Sequence, residues 1–592
     1  MDWQIAFTLG VVALALVAML REIAAPDLVM MAALVSLALV GILTPAEAFA
    51  GFSNKSVIAI GVLFIVSAAL RSTGALDLVL RWWMGRESSL TGGLVRITVP
   101  VAAFSAFLNN APIVAMMTPA VIDWGKRVRI SPSRLLIPVS YAAILGSSTT
   151  LIGTSVNLTV AGLMGEAGMR EMGFFELLPL GLPIALAGLL YLIFGVWRVL
   201  PDREPPGDVV GDRRREYMIT MRVEPECPLV NQTVEDAGLR HLPGLFLVEI
   251  DRRGRVITPV APDLPIRAGD HLVFAGVVST IVDLQRIRGL VPVEEEEARR
   301  VSAARRMWVE AVVSSSSPLA GTTVKRANFR TVYDAAVIAI HRNGERVAGK
   351  IGDIVMRPGD SLLLQTAPGF LRAHRNSPDF FLVSDIGEGD KPRFERAWLA
   401  IATLVALVLS VSAFDVPISL AACAGAGVLI LTRCVTGPEA RQSVQWPILI
   451  VIGAGLGIAQ AMQVTGAADF VARGLVAAAG IGHDASPHVA LAVVYLLCLA
   501  MAETLQHNAA AAIMFPVAVA TAQLVDADPR GFVMAVASAS CCAFASPVAY
   551  QTHLIVYGPG GYRFADFVRS GWPLDVLVAT LGIVLIPLIW PF

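Results

Sequence analysis

Charge is what this sequence has least of. Asp, Glu, Lys and Arg make up 16% of its 592 residues, whereas 55% are hydrophobic. A single soluble core could not hide that much apolar surface, so the composition predicts an integral membrane protein. The net charge of -1 and the absence of a long lysine/arginine run give no footing for nucleic acid. The six cysteines, Cys227, Cys423, Cys434, Cys498, Cys541 and Cys542, form no CxxC, and most lie in apolar runs. They read as small buried thiols rather than disulfides or metal ligands, which leaves the redox compartment open. No Gly-x-Ser-x-Gly, phosphate loop or metal-spaced cluster is present, so nothing predicts an enzyme. GAGLG (453–457) has Ile458 where a dinucleotide fingerprint needs its third glycine, and these glycines read as close helix contacts. Met1-Asp2-Trp3 has no basic leader, and Arg21-Glu22 follows the first apolar run, predicting a retained helix rather than a signal peptide.

Apolar runs are plentiful. They fall near 4–20, 27–43, 57–70, 94–122, 135–164 and 175–197, and again near 398–413, 416–432, 447–462, 487–524, 532–557 and 573–590. Several reach the roughly 20 residues that a spanning helix needs. Two pairs are interrupted. Asn109-Asn110-Ala111-Pro112 splits the fourth run, and His507-Asn508-Ala509 splits 487–524. Lipid cannot hydrate amides or an imidazole, so these groups must face protein, water or a solute, and each split run predicts a re-entrant hairpin. GSSTTLIGTSVN (Gly146 to Asn157) and SASCCAFASPVAYQTHLIVYGPGGY (538–562) predict discontinuous helices. Asn110 precedes Asn157 by 47 positions and Asn508 precedes His553 by 45, which points to a duplication. Arg86, Lys126, Arg127, Arg129 and Arg134 flank the first hairpin, whereas Asp484, Asp526, Asp528 and a lone Arg530 flank the second. On the positive-inside rule the two copies are inverted. A sequence of this kind predicts alternating access around a solute held at mid-membrane.

Residues 203–391 contain no apolar run longer than a strand, and they repeat with an offset of 90. PLVNQTVEDAGLR (228–240) matches PLAGTTVKRANFR (318–330), and IRAGDHLVF (266–274) matches MRPGDSLLL (356–364). Each copy predicts a strand, a short helix starting near Thr-Val, a hairpin turned at Arg-Gly or Asn-Gly, and a strand after Gly-Asp. EEEEARR (294–300) reads as a solvated linker. Arg198, Arg203, Arg213 to Arg215, Lys391, Arg393 and Arg396 place this insert in the cytoplasm. The expected domains are a membrane repeat over 1–202, soluble domains over 210–295 and 303–388, and a second membrane repeat over 394–592.

The two soluble copies resemble the TrkA-C type domain found on regulatory parts of potassium transporters and channels. The membrane halves resemble the divalent anion/sodium symporter family, which includes sodium:sulfate symporters. Its hairpin tips carry Ser-Asn-Thr followed by a glycine-threonine stretch ending in asparagine; here the tips are Asn109-Asn110-Ala111 and His507-Asn508-Ala509. GSSTTLIGTSVN fits the first follow-on stretch, and SPVAYQTH has His553 where asparagine is usual. The implied fold is a polytopic α-helical membrane protein with an inverted-repeat ion-transporter fold, re-entrant hairpins, discontinuous helices and two small α/β inserts. The resemblance implies Asn109, Asn110, Ser147, Ser148, Thr149, Thr154, Ser155, Asn157, His507, Asn508, Ser546, Thr552 and His553 as substrate- or ion-binding residues, with Asn110 and Asn508 as sodium ligands. Glu503 is read either as a coupling carboxylate or as a structural hydrogen-bond partner. The implied function is sodium-coupled, elevator-like import of a small divalent oxyanion, sulfate first, by a homodimer in a bacterial inner membrane. The lost tip hydroxyls weaken a dicarboxylate/sodium symporter reading. His507 and His553 keep open a proton-coupled alternative, in which a proton replaces sodium at one site. An ion channel regulated through its TrkA-C type domains is the alternative of another class, although no TVGYG-like filter is present.

Overall fold

A computed structural model describes residues 3–21, 23–75, 89–128, 130–203, 218–239, 245–252, 255–257, 260, 263–276, 287–293, 307–314, 317–342, 345–347, 351–366, 370, 374, 377, 379–385, 393–478 and 486–592. The chain divides into two compact units. One comprises Met1–Arg203, Lys391–Tyr557 and Tyr562–Phe592, the other Glu204–Asp390 and Gly558–Gly561.

Before the insert the first unit carries α1 (Trp3–Leu20), α2 (Pro26–Leu39), α3 (Pro45–Ala50), α4 (Lys55–Ser72), α5 (Leu90–Ser105), α6 (Asn110–Val128), α7 (Leu136–Ser147), α8 (Ser155–Glu166) and α9 (Leu178–Phe194). A short α10 (Phe329–Tyr333) belongs to the insert. After it come α11 (Ala397–Phe414), α12 (Ile418–Leu431), α13 (Gly437–Ser443), α14 (Trp446–Val464), α15 (Ala467–Ala478), α16 (Pro487–Thr504), α17 (His507–Leu524), α18 (Pro529–Cys541), α19 (Gln551–Tyr557) and α20 (Phe564–Ile589). Among the described residues seven stretches are long and apolar enough to cross a membrane.

The second series repeats the first. Short α3 and α13 each open on a capping box, Thr44 with Glu47 and Thr436 with Glu439, which satisfies the first amides reciprocally. Packing between the series is reciprocal as well: α2 lies on α14 while α12 lies on α4, and α6 lies on α19 while α17 lies on α8. The GAGLG glycines sit inside α14. A Cβ on Gly453 would come within 2.7 Å of the Phe52 ring, and one on Gly457 within 2.5 Å of the Leu34 side chain. They serve helix packing. The cysteines are free, five of them buried and Cys423 exposed.

Both tips sit earlier than the sequence suggests. The chain breaks at 106–109, and Asn110-Ala111-Pro112 is already the first turn of α6. A proline is tolerated there because the amides of a first turn have no helical partner. The second break is 505–506, so His507-Asn508-Ala509 opens α17. The discontinuous helices break over 148–154, between α7 and α8, and over 542–550, between α18 and α19. Every residue of α7 and every residue of α18 from Gly531 to Cys541 is buried, so the breaks lie at the centre of the unit.

In the other unit, two five-stranded sheets share one topology. Strands β1 (Met218–Val223), β2 (Leu245–Arg252), β3 (Arg255–Ile257), β4 (His271–Gly276) and β5 (Leu290–Pro292) run in the order β3-β2-β4-β1-β5. Strands β6 (Met307–Val313), β7 (Ala335–Arg342), β8 (Glu345–Arg346), β9 (Ser361–Thr366) and β10 (Phe380–Asp385) repeat it as β8-β7-β9-β6-β10. All pairings are antiparallel. Details recur at the 90-residue offset: Arg252 clamps Asp270 with bonds of 2.8 and 2.7 Å, and Arg342 clamps Asp360 with two of 2.8 Å. Gly269 and Gly359, at φ of 85° and 83°, make the turn before β4 and β9. The helix expected at Thr-Val is not formed at Thr233 or Thr323, whose backbones bridge to Pro265 and Val355. Turns follow, and in the second copy a helix begins only at Phe329. The Arg-Gly and Asn-Gly turns, the EEEEARR stretch, Arg86, Arg129, Asp484, Arg213 to Arg215 and Lys391 lie outside the described residues.

Candidate solute site at the four breaks

Each tip asparagine enters a hydroxyl network. At the first tip the Asn110 amide oxygen accepts from Ser105 Oγ (2.8 Å), and its Nδ2 donates to Ser147 Oγ (3.1 Å) at the end of α7. Thr150 Oγ1 donates to Ala106 O, and Asn157 Nδ2 donates to Thr150 O (2.8 Å). The break before α6 and the unwound stretch after α7 are thereby fastened together. At the second tip Asn508 reaches into the other repeat. Its Oδ1 lies 3.2 Å from Ser155 Oγ and 3.3 Å from Thr159 Oγ1, both on α8, while Nδ2 lies 3.1 Å from Ser155 Oγ. Asn110, Ser147, Ser155, Asn157 and Asn508 are all buried.

The other predicted residues divide by role. Ser148 and Thr149 donate to Leu145 O and Gly146 O, closing the last turn of α7, and Thr154 caps α8 by accepting from Val156 N. Asn109 does not join the asparagine networks; it lines a small pocket with Phe107, Ile152, Ser155, Leu158 and Ser67. Ser546 Oγ accepts from Val548 N (3.3 Å). Thr552 is 1% exposed and its hydroxyl has no partner, an unsatisfied group at the start of α19.

Both histidines engage the second break. His507 stacks on Tyr550, ring centroids 4.3 Å apart and planes 7° from parallel, with Nδ1 3.4 Å from Ala549 O. His553 lies between Ser140 Oγ at Nδ1 (2.8 Å) and Ala543 O at Nε2 (3.2 Å). A carbonyl can only accept, so Nε2 carries the hydrogen. Glu503 receives three amides, those of Phe544 (2.7 Å), Ala545 (3.0 Å) and Ser546 (2.7 Å).

Sequence reasoning did not select Ser105, Ser140, Tyr141, Thr159 or Asp575. Thr159 follows Ser155 by four positions, so on a helix it shares a face with it. Asp575 is a lone acid in the apolar run 573–590, which is itself a signal. Tyr141 ties α7 to the second break, donating to Phe544 O at 2.7 Å.

Chemically, the breaks offer amide oxygens, hydroxyls, carbonyls and helix N-termini, the donor set for a hard cation beside an oxyanion. No lysine or arginine occurs within 105–112, 146–157, 503–509 or 541–553. What these stretches offer an anion is hydrogen bonds and helix dipoles.

A family model described as a citrate transporter matches residues 14–590. The chain belongs to the citrate transporter family. This membership agrees with the resemblance to divalent anion/sodium symporters read from the tips, and it makes the protein a multi-pass membrane transporter. Among its relatives, a Chlamydomonas reinhardtii protein named "Putative sulfur deprivation response regulator" is 34% identical over 95% of this chain and 98% of its own. An uncharacterized transporter of Synechocystis is 31% identical over 100% of this chain and 98% of its own. Sodium/sulfate cotransporter 2 of C. reinhardtii is 24% identical over 98% of this chain and 89% of its own.

Proposed function

We propose that the protein imports sulfate with sodium by alternating access. The observation that carries this reading is the pair of buried asparagine networks at the openings of α6 and α17, one of which crosses between the repeats. Asn110 and Asn508 supply amide oxygens for sodium, with Ser147, Ser155 and Asn157 around them. The oxyanion is received by helix N-termini and by hydroxyls such as Thr552. With no lysine or arginine at the breaks, the divalent charge of sulfate is offset by cotransported cations, which supports sodium as the driving ion. Relatives named sodium/sulfate cotransporters support sulfate over citrate or a dicarboxylate. The loss of the serine and threonine usual at both tips of the family, whose hydroxyls help hold a carboxylate or sodium in relatives, weakens the dicarboxylate reading.

The reciprocal contacts between the repeats support an inverted pair of hairpins; the family resemblance implies that it moves as an elevator within a homodimer of an inner membrane. The shared strand order and repeated Arg-Asp clamps support two copies of one domain, read as TrkA-C type; the flanking positive charge supports a cytoplasmic place, where the pair is regulatory or dimerising. The test is uptake of labelled sulfate into proteoliposomes, with thiosulfate, molybdate, succinate and citrate as competitors and sodium, lithium and proton gradients as drivers. The expected result is sodium-dependent uptake that unlabelled sulfate blocks and citrate does not. Competition by citrate with no effect of sulfate would overturn the substrate assignment.

A further inference from the structure

Two carboxyl groups that the sodium and sulfate reading leaves idle meet on one stretch of unwound chain. Glu503, near the end of α16, takes the amides of Phe544, Ala545 and Ser546. Asp575, within α20, takes the Phe544 amide as well, at 3.0 Å from its Oδ1. One donor is thus shared by two acids, whose accepting oxygens meet at that amide. Asp575 is 3% exposed, and its Oδ2 has no donor.

The surroundings supply no counter-charge. Among the described residues no lysine, arginine or histidine side chain pairs with either carboxyl. The titratable groups facing the pair are Tyr141 on α7, Tyr191 on α9 and Cys542 beside α18. Tyr141 donates to Phe544 O and Tyr191 to Ser570 O. His553 bonds Ala543 O and Ser140, and His507 faces Ala549 O and Tyr550. Two adjacent anions, Glu503 half-buried and Asp575 buried with an orphaned oxygen, are disfavoured. A single proton between them removes one charge and gives Oδ2 its partner. The backbone is packed tightly around this point: a Cβ on Gly571 would lie 2.2 Å from Phe544 O.

We propose that Glu503 and Asp575 form a proton-binding site that fastens residues 544–546 of the second break, so that losing the proton loosens the break and slows transport. The proton exchanges with water, and no other reactant is involved. The inference rests on the transporter reading and adds pH control to it. Sodium remains the driving ion.

The full-length protein in proteoliposomes is assayed for labelled sulfate uptake from neutral to alkaline pH at a fixed sodium gradient, beside Asp575→Asn. Wild-type uptake is expected to fall by about tenfold per pH unit above the transition. Asp575→Asn, neutral and of the same shape, keeps its neutral-pH uptake and loses the fall. Infrared spectra of the same preparations read the proton without transport. The wild-type protein shows a protonated-carboxyl band at neutral pH that disappears on raising the pH and is missing in Asp575→Asn. Superimposable pH profiles, or a wild-type spectrum without that band, overturn the proposal. If the band behaves as stated while sulfate is not taken up, the proton site stands and the sulfate assignment falls.

Discussion

Asn508 has one side chain and two hydroxyl neighbours, and both belong to the other repeat. Replacing it with alanine removes an amide oxygen that no neighbouring residue can supply. Each such hydrogen bond is worth about 1 kcal/mol, so Asn508→Ala is expected to lower sulfate uptake by about tenfold or more. Asn110→Ala is expected to do the same, since Ser105 and Ser147 have only that amide to bridge them. In a double-mutant cycle on uptake, Ser155→Ala with Asn508→Ala should cost less than the two single losses combined. Strict additivity would mean that the 3.1 Å contact carries no energy. His553 differs in kind, because both its nitrogens are spent on protein. His553→Ala should reduce thermal stability by about 1–3 kcal/mol through the unpaired Ser140 and Ala543 groups, measured by unfolding in detergent. The asparagines were legible in the sequence because an amide in an apolar run has no bland partner in lipid. Their hydroxyl partners were not, since Ser155 and Asn508 stand 353 positions apart and only the fold brings them together.

At the scale of elements, backbones crowd the breaks. A Cβ on Gly146 would lie 2.0 Å from Ala102 O, and one on Gly181 2.5 Å from Ser148 O, so α5 and α9 press directly on the end of α7. Gly146→Val should therefore destabilise the membrane unit by about 3 kcal/mol, read as a lower Tm in detergent, with a change below 0.5 kcal/mol contradicting the packing. In the insert, Asp270 is 1% exposed, takes two bonds from Arg252 and one from the Arg267 amide, and pushes the Arg252 guanidinium further above its usual range through those bonds. Asp270→Asn leaves that cation without its anionic partner, the Pro265 carbonyl alone remaining. It should cost about 3 kcal/mol locally, seen as faster amide exchange in β2 and β4 with β7 and β9 unaffected. Discontinuous helices could be read from composition, because glycine and hydroxyl residues interrupt an apolar period. The tip positions could not, since Asn-Ala-Pro suits the first turn of a helix as well as a loop. The absent Thr-Val helices have a similar cause: Thr323 is drawn into a bridge to Val355, a contact that local sequence does not report.

For the whole molecule, the duplication explains the division of labour. Reciprocal packing of α6 with α19 and α17 with α8 sets each series of helices against the other, and the Asn508 network is made across them. The asparagine networks are made by residues of the first unit, and the insert is a separate compact unit. Deleting residues 210–388 should therefore leave sodium-dependent uptake per folded molecule within about threefold of the full chain, while removing any response to cytosolic metabolites. Transport abolished in a folded deletion variant would make the insert part of the transport machinery. The most direct measurement is the accumulation ratio of labelled sulfate in proteoliposomes under an inward sodium gradient. The account predicts an internal concentration above the external one, collapsed by a sodium ionophore and absent in Asn110→Ala and Asn508→Ala. Sulfate that only equilibrates, with or without sodium, would contradict it.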